Sequence, residues 1–274
     1  MTRGTLRKII IEKDNSCKSI WFMRQAGRYL PEFREIRLKN QNFIELCLNS
    51  ELSAEITLQP IKRFNLDSAI IFSDILIVPF ALGQKVKFIN GIGPKLEEFN
   101  LKLFTESNRK SFTQKLQPVY EAINKTRKKL HKEKSLIAFV GAPWTLLIYM
   151  LSSKLNKNEI DYQKIESKGN DIKLILNELN NYLSIHIENQ INAGADVVQI
   201  FDSWAGLIKP KDFVNYCIEP NSKLVNFCKG KGIPTICFPK GIGENYKKFN
   251  DVVKPDGLNI DYDIDPSWAQ RNLK

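Results

Sequence analysis

Short apolar runs alternate along this chain with longer amphipathic stretches. Ser68-Ala69-Ile70-Ile71-Phe72, Ile137-Ala138-Phe139-Val140, Val197-Val198-Gln199-Ile200-Phe201, Pro234-Thr235-Ile236-Cys237-Phe238 and Leu258-Asn259-Ile260 are nearly continuous and rich in β-branched or aromatic residues. Such runs predict strands of a parallel sheet buried on both faces. Ser19-Ile20-Trp21-Phe22 reads as a further strand ahead of them, which makes six. The intervening stretches predict helices. Ser50 is positioned to cap one, with Glu51 in its first turn, Leu48, Leu52 and Ile56 at i,i+4 spacing, and an interruption at Pro60. Phe112, Leu116, Val119, Ile123 and Leu130 mark a second. Ile172, Ile175, Leu176, Leu179, Leu183, Ile187 and Ile191 mark the longest, with Gly194 as its stop. Phe213, Tyr216, Cys217 and Leu224 suggest a fourth. The alternation predicts βαβ units in an α/β protein.

At 274 residues the chain fits a single (β/α)8 TIM-type barrel domain spanning 1–274, with no composition break to divide it. A barrel places its chemistry at the C-terminal ends of the strands. A doubly wound open sheet does the same at its switch point. Under either reading the informative residues are those that follow the apolar runs: Arg24 and Arg28, then Ser73-Asp74, Gly141-Ala142-Pro143-Trp144-Thr145, and Asp202-Ser203-Trp204-Ala205-Gly206.

Met23-Arg24-Gln25-Ala26-Gly27-Arg28-Tyr29-Leu30-Pro31 is the most distinctive of these segments. It brings two guanidinium forks around a small-residue turn, where the backbone can approach a ligand closely. Such a pair grips carboxylates bidentately. Surface ion pairs with Glu32 and Glu35 are the alternative.

Composition removes several classes. The formal charge of +11 is mostly lysine on presumed helix faces, as at Lys125, Arg127, Lys128, Lys129, Lys132 and Lys134. No aromatic interleaving or nucleic-acid module accompanies it, so a solvated helix face is expected rather than nucleic-acid binding. An acidic small-molecule substrate is compatible with the sign. Cys17, Cys47, Cys217, Cys228 and Cys237 lack C-x-x-C spacing, and His131 and His186 lie far apart, so free thiols and no metal site are expected. Gly241-x-Gly243 and Gly230-x-Gly232 read as ordinary turns. No apolar run is long enough to span a membrane, and residues 1–19 carry no cleavable apolar region, so a cytoplasmic protein is expected.

Several of these segments together resemble the uroporphyrinogen decarboxylase family. One signature runs from Trp21 through Pro31, Glu32 and Phe33, with Ser19 where the family usually has proline. A second is Phe139-x-Gly141-Ala142-Pro143-Trp144-Thr145-Leu146-x-x-Tyr149, which departs at Ser152-Ser153. Ile71-Phe72-Ser73-Asp74-Ile75-Leu76, the Gly91-x-Gly93-Pro94 loop and Phe201-Asp202-Ser203-Trp204-Ala205-Gly206 also fit, in order.

The resemblance implies cofactor-free removal of CO2 from the four acetate arms of uroporphyrinogen III, giving coproporphyrinogen III in porphyrin and heme biosynthesis. It implies a homodimer and no metal. Arg24 and Asp74 would carry catalysis, Asp74 accepting hydrogen bonds from the pyrrole N–H groups. Arg24, Gln25, Ala26, Gly27, Arg28, Asp74, Tyr149, Ser203, Phe139 and Phe201 would bind substrate, the arginines and hydroxyls through its carboxylates and the two phenylalanines by lining the cleft. The family continues beyond Asn259-Ile260-Asp261-Tyr262-Asp263 with two more βα units and a site histidine, so about six units are expected here. The alternatives are an inactive or companion-dependent piece of this enzyme, or a related corrinoid-linked methyltransferase.

Overall fold

The computed structural model describes residues 4–14, 16–89, 91–152, 154–156 and 159–273. Its centre is a five-stranded parallel sheet of β1 (Ser68–Ile70), β2 (Ser135–Gly141), β3 (Val197–Asp202), β4 (Thr235–Pro239) and β5 (Gly257–Leu258). Their order in the sheet is their order in the chain. Ile70 pairs with Ile137, Gly141 with Phe201, and Asp202 with Pro239. A doubly wound sheet reverses its strand order at a switch point. This one does not reverse across its five strands.

All five later apolar runs form strands, within two or three residues of the expected ends. The sixth does not. Ser19–Phe22 runs beside the start of β1, but among the described residues only Asp67 N–H to Ile20 C=O, at 3.1 Å, joins it there by a backbone bond. The Asp67 carboxylate takes the N–H of Ile20 at 2.7 Å instead of leaving it to a ladder. Ile20 and Phe22 are exposed. A parallel ladder needs slanted bonds repeated along both chains, and this segment has none beyond the first.

Side chains alternate between the two faces of the sheet as the pleat requires. Leu136, Ala138, Val140, Val198, Ile200 and Cys237 enter the main core under the helices. Ile70, Ile137, Val197 and Ile236 point to the other face, beside Phe139 and Phe201. The helix Thr5–Glu12 crosses that inner face at the N-terminal end of the strands and supplies Leu6 and Ile10 to it. Its first turn is pinned by Gly4 N–H to Lys132 C=O at 3.2 Å, Thr5 N–H to Glu133 C=O at 2.7 Å, and Arg7 N–H to the Ser135 hydroxyl at 3.1 Å.

Gly4 is required at that junction. Its φ is +68°, and a Cβ there would meet the Ser135 Oγ at 2.2 Å and its backbone N and Cα at 2.7 Å. Gly4→Ala therefore combines a left-handed φ with overlap against backbone. It is expected to lower stability by about 1–3 kcal/mol, read as a lower urea midpoint at unchanged slope.

The expected helices form. The fourth opens as a π-helical segment, Val214–Ile218, that leads into the α-helix Glu219–Gly230, and there are two further differences. Asn49, not Ser50, caps Ser50–Phe64, its side chain accepting from the N–H of Leu52. Ser50 instead takes a hydrogen bond from Lys125 at 2.8 Å. The helix also runs through Pro60 without stopping, as Arg109–Lys129 runs through Pro118. Burial of Ile56, Thr57, Leu58 and Ile61 against the core outweighs the one missing backbone bond. Asp171–Asn192 is the longest helix and ends before Gly194 at φ +116°.

Arg127, at the end of Arg109–Lys129, ties that helix to the entry of two strands. Its guanidinium holds the buried Asp196 carboxylate at 2.7 Å and donates to the carbonyls of Leu130, His131 and Lys134. The same Asp196 oxygen accepts the N–H of Leu136 at 2.8 Å. Lys125 pairs with Glu51 at 2.7 Å, and Lys134 donates to the Leu66 carbonyl at 2.7 Å. Half of the basic stretch is thus engaged within the fold rather than simply solvated.

Candidate active site

β1 ends at Ile70, and the chain then runs through Ile71-Phe72-Ser73 to Asp74 before the short helix Ile77–Ala81. The Asp74 carboxylate accepts the N–H of Leu76 at 2.8 Å, forming an Asx turn just ahead of the helix. Burial pushes this carboxyl up to about 6, opposed by the Leu76 N–H and by the positive charge of Arg24.

Arg24 reaches the same place from the segment beside β1. Its charge acts on both Asp74 and Tyr149. Neither Arg24 nor Arg28 makes an ion pair among the described residues. Glu32 is taken instead by Arg63, in a two-bond fork at 3.1 and 2.9 Å. The surface-pair reading of the two arginines therefore fails for Glu32, and both forks stay exposed for a ligand.

The turn between them is rigid. Gln25 is buried, and its side-chain oxygen accepts the N–H of Phe22 at 3.0 Å while its side-chain nitrogen has no partner. Gly27 C=O accepts from Leu30 N–H at 3.0 Å, and Ala26 packs on the cluster of Leu30, Phe33, Leu46 and Ile56. The Arg28 carbonyl is held by Arg34 at 2.8 Å. The charge of Arg24 acts on Asp74, and that of Arg28 is not among the causes of the Asp74 shift.

Tyr149 comes from the helix that follows β2. Pro143–Met150 opens on proline, whose missing N–H costs nothing in a first turn. The helix is apolar all round and buried except at Tyr149, which is half-buried. Burial and Asp74 raise the Tyr149 phenol, opposed by the Trp204 indole and Arg24, so the hydroxyl keeps its proton. Its ring meets Trp204 edge-on at 6.0 Å.

Phe139 on β2 and Phe201 on β3 lie on the inner face, edge to face at 5.6 Å, and both are half-buried. Ser203 follows directly after β3 and is also half-buried. Behind it the turn is closely packed: a Cβ at Gly206 would meet the Gly241 carbonyl at 2.4 Å. Gly241 itself has φ +79° and donates its N–H to Asp261 at 2.6 Å, so it is a turn residue and no phosphate loop.

The structure thus brings Asp74, Arg24 and Tyr149 into one electrostatic group and sets the Phe139–Phe201 pair on the inner face. Ser152 has φ +51°, and Ser153 lies outside the described residues. Surface hollows beside Arg109, Lys110 and Thr113, and beside Lys62, His131 and Lys134, lie apart from these residues. Sequence reasoning missed the buried side chains behind the site. Asp202 accepts from Thr145 at 2.7 Å and Asn221 at 3.0 Å, and Trp144 donates to the Trp204 carbonyl at 3.0 Å. Asp202 and Thr145 stood inside the quoted motifs, but only the fold pairs them.

Four cysteines are buried and Cys17 is exposed, all as free thiols. His186 is buried against Tyr120 at 3.0 Å, and His131 is exposed. Among the described residues no three His, Cys, Asp or Glu side chains converge, and no helix is long and apolar enough to cross a membrane.

The family profile described as Uroporphyrinogen decarboxylase (URO-D) matches residues 5–274. Uroporphyrinogen decarboxylase of Orientia tsutsugamushi (strain Ikeda) is 47% identical over 250 residues, covering 89% of this chain and 72% of its own. That of Rickettsia bellii (strain RML369-C) is 43% identical over 260 residues, covering 94% and 76%. That of Novosphingobium aromaticivorans is 36% identical over 273 residues, covering 98% and 80%. Among solved structures, a methyltransferase from Methanosarcina mazei superposes with TM-score 0.68 at 17% identity, over 94% of this chain and 83% of that one. At that identity the likeness is one of fold.

Proposed function

The chain belongs to the uroporphyrinogen decarboxylase family, and on that premise we propose that it converts uroporphyrinogen III to coproporphyrinogen III without a cofactor. The observation that carries the assignment of roles is the Asp74 carboxylate. It is raised to about 6 by burial, faces Arg24 and Tyr149, and follows directly on the first strand of the sheet.

The reaction needs a fixed anion. A ring carbon of one pyrrole takes up a proton, and the ring becomes cationic. The bond from the acetate methylene to its carboxylate then breaks, CO2 leaves, and the electron pair neutralises the ring. A proton delivered to the exocyclic carbon and one returned from the ring leave a methyl group. One proton replaces one CO2 at each arm. Ionised Asp74, with about four lone-pair sites, accepts from pyrrole N–H groups and stabilises the cation more than the neutral ring. Arg24 steers an acetate carboxylate toward that ring.

Arg28 grips carboxylates farther out on the rim, with the Gln25-Ala26-Gly27 turn holding the two arginines apart. Tyr149 and Ser203 donate their hydroxyls to substrate carboxylates, while Phe139 and Phe201 form the apolar floor under the macrocycle. The five parallel strands are part of the wall of a (β/α)8 barrel, and residues 1–274 form a single domain. The working form is a homodimer in the cytoplasm.

Incubation of the purified chain with uroporphyrinogen under exclusion of oxygen tests the reading, with CO2 and coproporphyrinogen as the products measured. Release of four CO2 per porphyrinogen supports it. A folded chain that releases none overturns it. The pH profile tests the role of Asp74 separately: kcat/KM should rise as pH passes upward through about 6, because the working form is the carboxylate. A profile that falls through that region would assign Asp74 the role of an acid instead.

A further inference from the structure

Asp202 closes β3 with its side chain on the helix face of the sheet, opposite to Phe201. It is fully buried, yet three groups serve it. Thr145 Oγ1 donates at 2.7 Å and Asn221 Nδ2 at 3.0 Å, and the Cys217 thiol, itself kept protonated by burial, faces the same carboxylate. Thr145 has a second task. Its oxygen accepts the backbone N–H of Trp204 at 3.3 Å. Trp144, one residue earlier, donates its indole N–H to the Trp204 carbonyl at 3.0 Å. Both polar groups of the Trp204 backbone are therefore held by the helix Pro143–Met150. The turn that carries Ser203 is fastened to the helix that carries Tyr149.

Geometry makes the fastening directional. Thr145 and Tyr149 are four residues apart on one helix and share a face. Thr145 points at the end of β3, and Tyr149 lies one turn on, against the Trp204 ring at 6.0 Å. Ala142 N–H to Phe201 C=O at 2.8 Å fixes the start of the same helix to the same strand, and Asp202 C=O takes the N–H of Lys240 at 3.1 Å. A buried carboxylate that only filled space would be poorly placed here, since burying a charge is costly unless it is fully hydrogen-bonded.

We propose that Asp202 and Thr145 form a clamp that positions Ser203 and Tyr149 relative to each other, and so sets how tightly the site holds substrate carboxylates. The clamp touches no substrate; it acts through the two hydroxyl residues. The proposal rests on the decarboxylase reading for its consequence in turnover, but not for its existence in the fold.

Thr145→Val and Thr145→Ser separate the possibilities, because the first removes the hydroxyl at constant shape and the second keeps it. In Thr145→Val the Trp204 amide should exchange with deuterium about tenfold faster or more, with the amides inside β2 unchanged. KM for uroporphyrinogen should rise about tenfold while kcat per folded molecule stays within about twofold. Thr145→Ser should restore both. Wild-type exchange at Trp204 in the valine variant would overturn the clamp. An unchanged KM, with activity per total protein lowered only in step with the folded fraction, would overturn the positioning role. Should the valine variant not fold, Asp202→Asn is read in its place, and it turns an N–H2 group toward Asn221; the same two results decide. A wild-type chain with no decarboxylase activity defeats the function assigned above, and the Trp204 amide then judges the clamp alone.

Discussion

Asp74→Asn is expected to lower turnover of uroporphyrinogen by about 100- to 1,000-fold, the usual cost of removing a preorganised charge that acts on the transition state. Asparagine keeps the oxygen that accepts the Leu76 N–H, so the turn after β1 survives. What it loses is the negative charge, and it gains an N–H2 group that cannot accept from pyrrole. The same change should make the free protein more stable at neutral pH. The folded carboxyl is raised from 3.8 to about 6. A raised carboxyl adds stability only below its ordinary value and loses it as pH climbs through about 6. Above that pH the charge opposes folding. After allowance for its partial exposure, removing it should gain about 1 kcal/mol, or about 2–4 °C in Tm. Wild-type turnover in the asparagine variant would sink the role of Asp74, and a lowered Tm would sink the claim that its charge is held at a cost.

Asp196→Ala should have the largest effect on stability. It leaves the part-buried Arg127 guanidinium without its counter-charge and the buried Leu136 N–H without an acceptor. Stranding one member of a buried pair costs about 3–5 kcal/mol. Single domains hold only about 5–15 kcal/mol in reserve, so the variant should unfold at much lower urea. The double variant Arg127→Met with Asp196→Leu should recover much of the loss, because no charge is left unpaired. A single variant as stable as wild type would show that the three carbonyls around Arg127 suffice by themselves.

The strands were legible because a sheet covered on both faces needs unbroken apolar runs, and these stand out even at three to seven residues. Ser19–Phe22 has the same composition but sits at an edge, where Ile20 and Phe22 face outward; composition cannot tell an edge from a centre. The cap of Ser50–Phe64 was misassigned by one residue, since Asn49 and Ser50 are both good caps and only the geometry chooses. Pro60 read as a break, since its cost is local while the burial that outweighs it comes from elsewhere in the fold. The arginine turn and Asp74 were visible in their motifs. The freedom of both arginines from Glu32 was not, since it depends on Arg63 across a helix. Asp196 with Arg127, and Asp202 with Thr145, join residues 69 and 57 positions apart, and nothing local marks them.

The order of the strands has a consequence for synthesis. Each strand lies beside the one made just before it, so on the ribosome the sheet grows from a single edge and no strand waits for a distant mate. The opening helix is the exception. Thr5–Glu12 precedes every strand of the sheet, but its bonds go to Lys132, Glu133 and Ser135 and, through Arg7, to the carbonyl of Gly232. It must therefore stay unseated until the second strand has been made, and it then closes the base of the sheet as a latch.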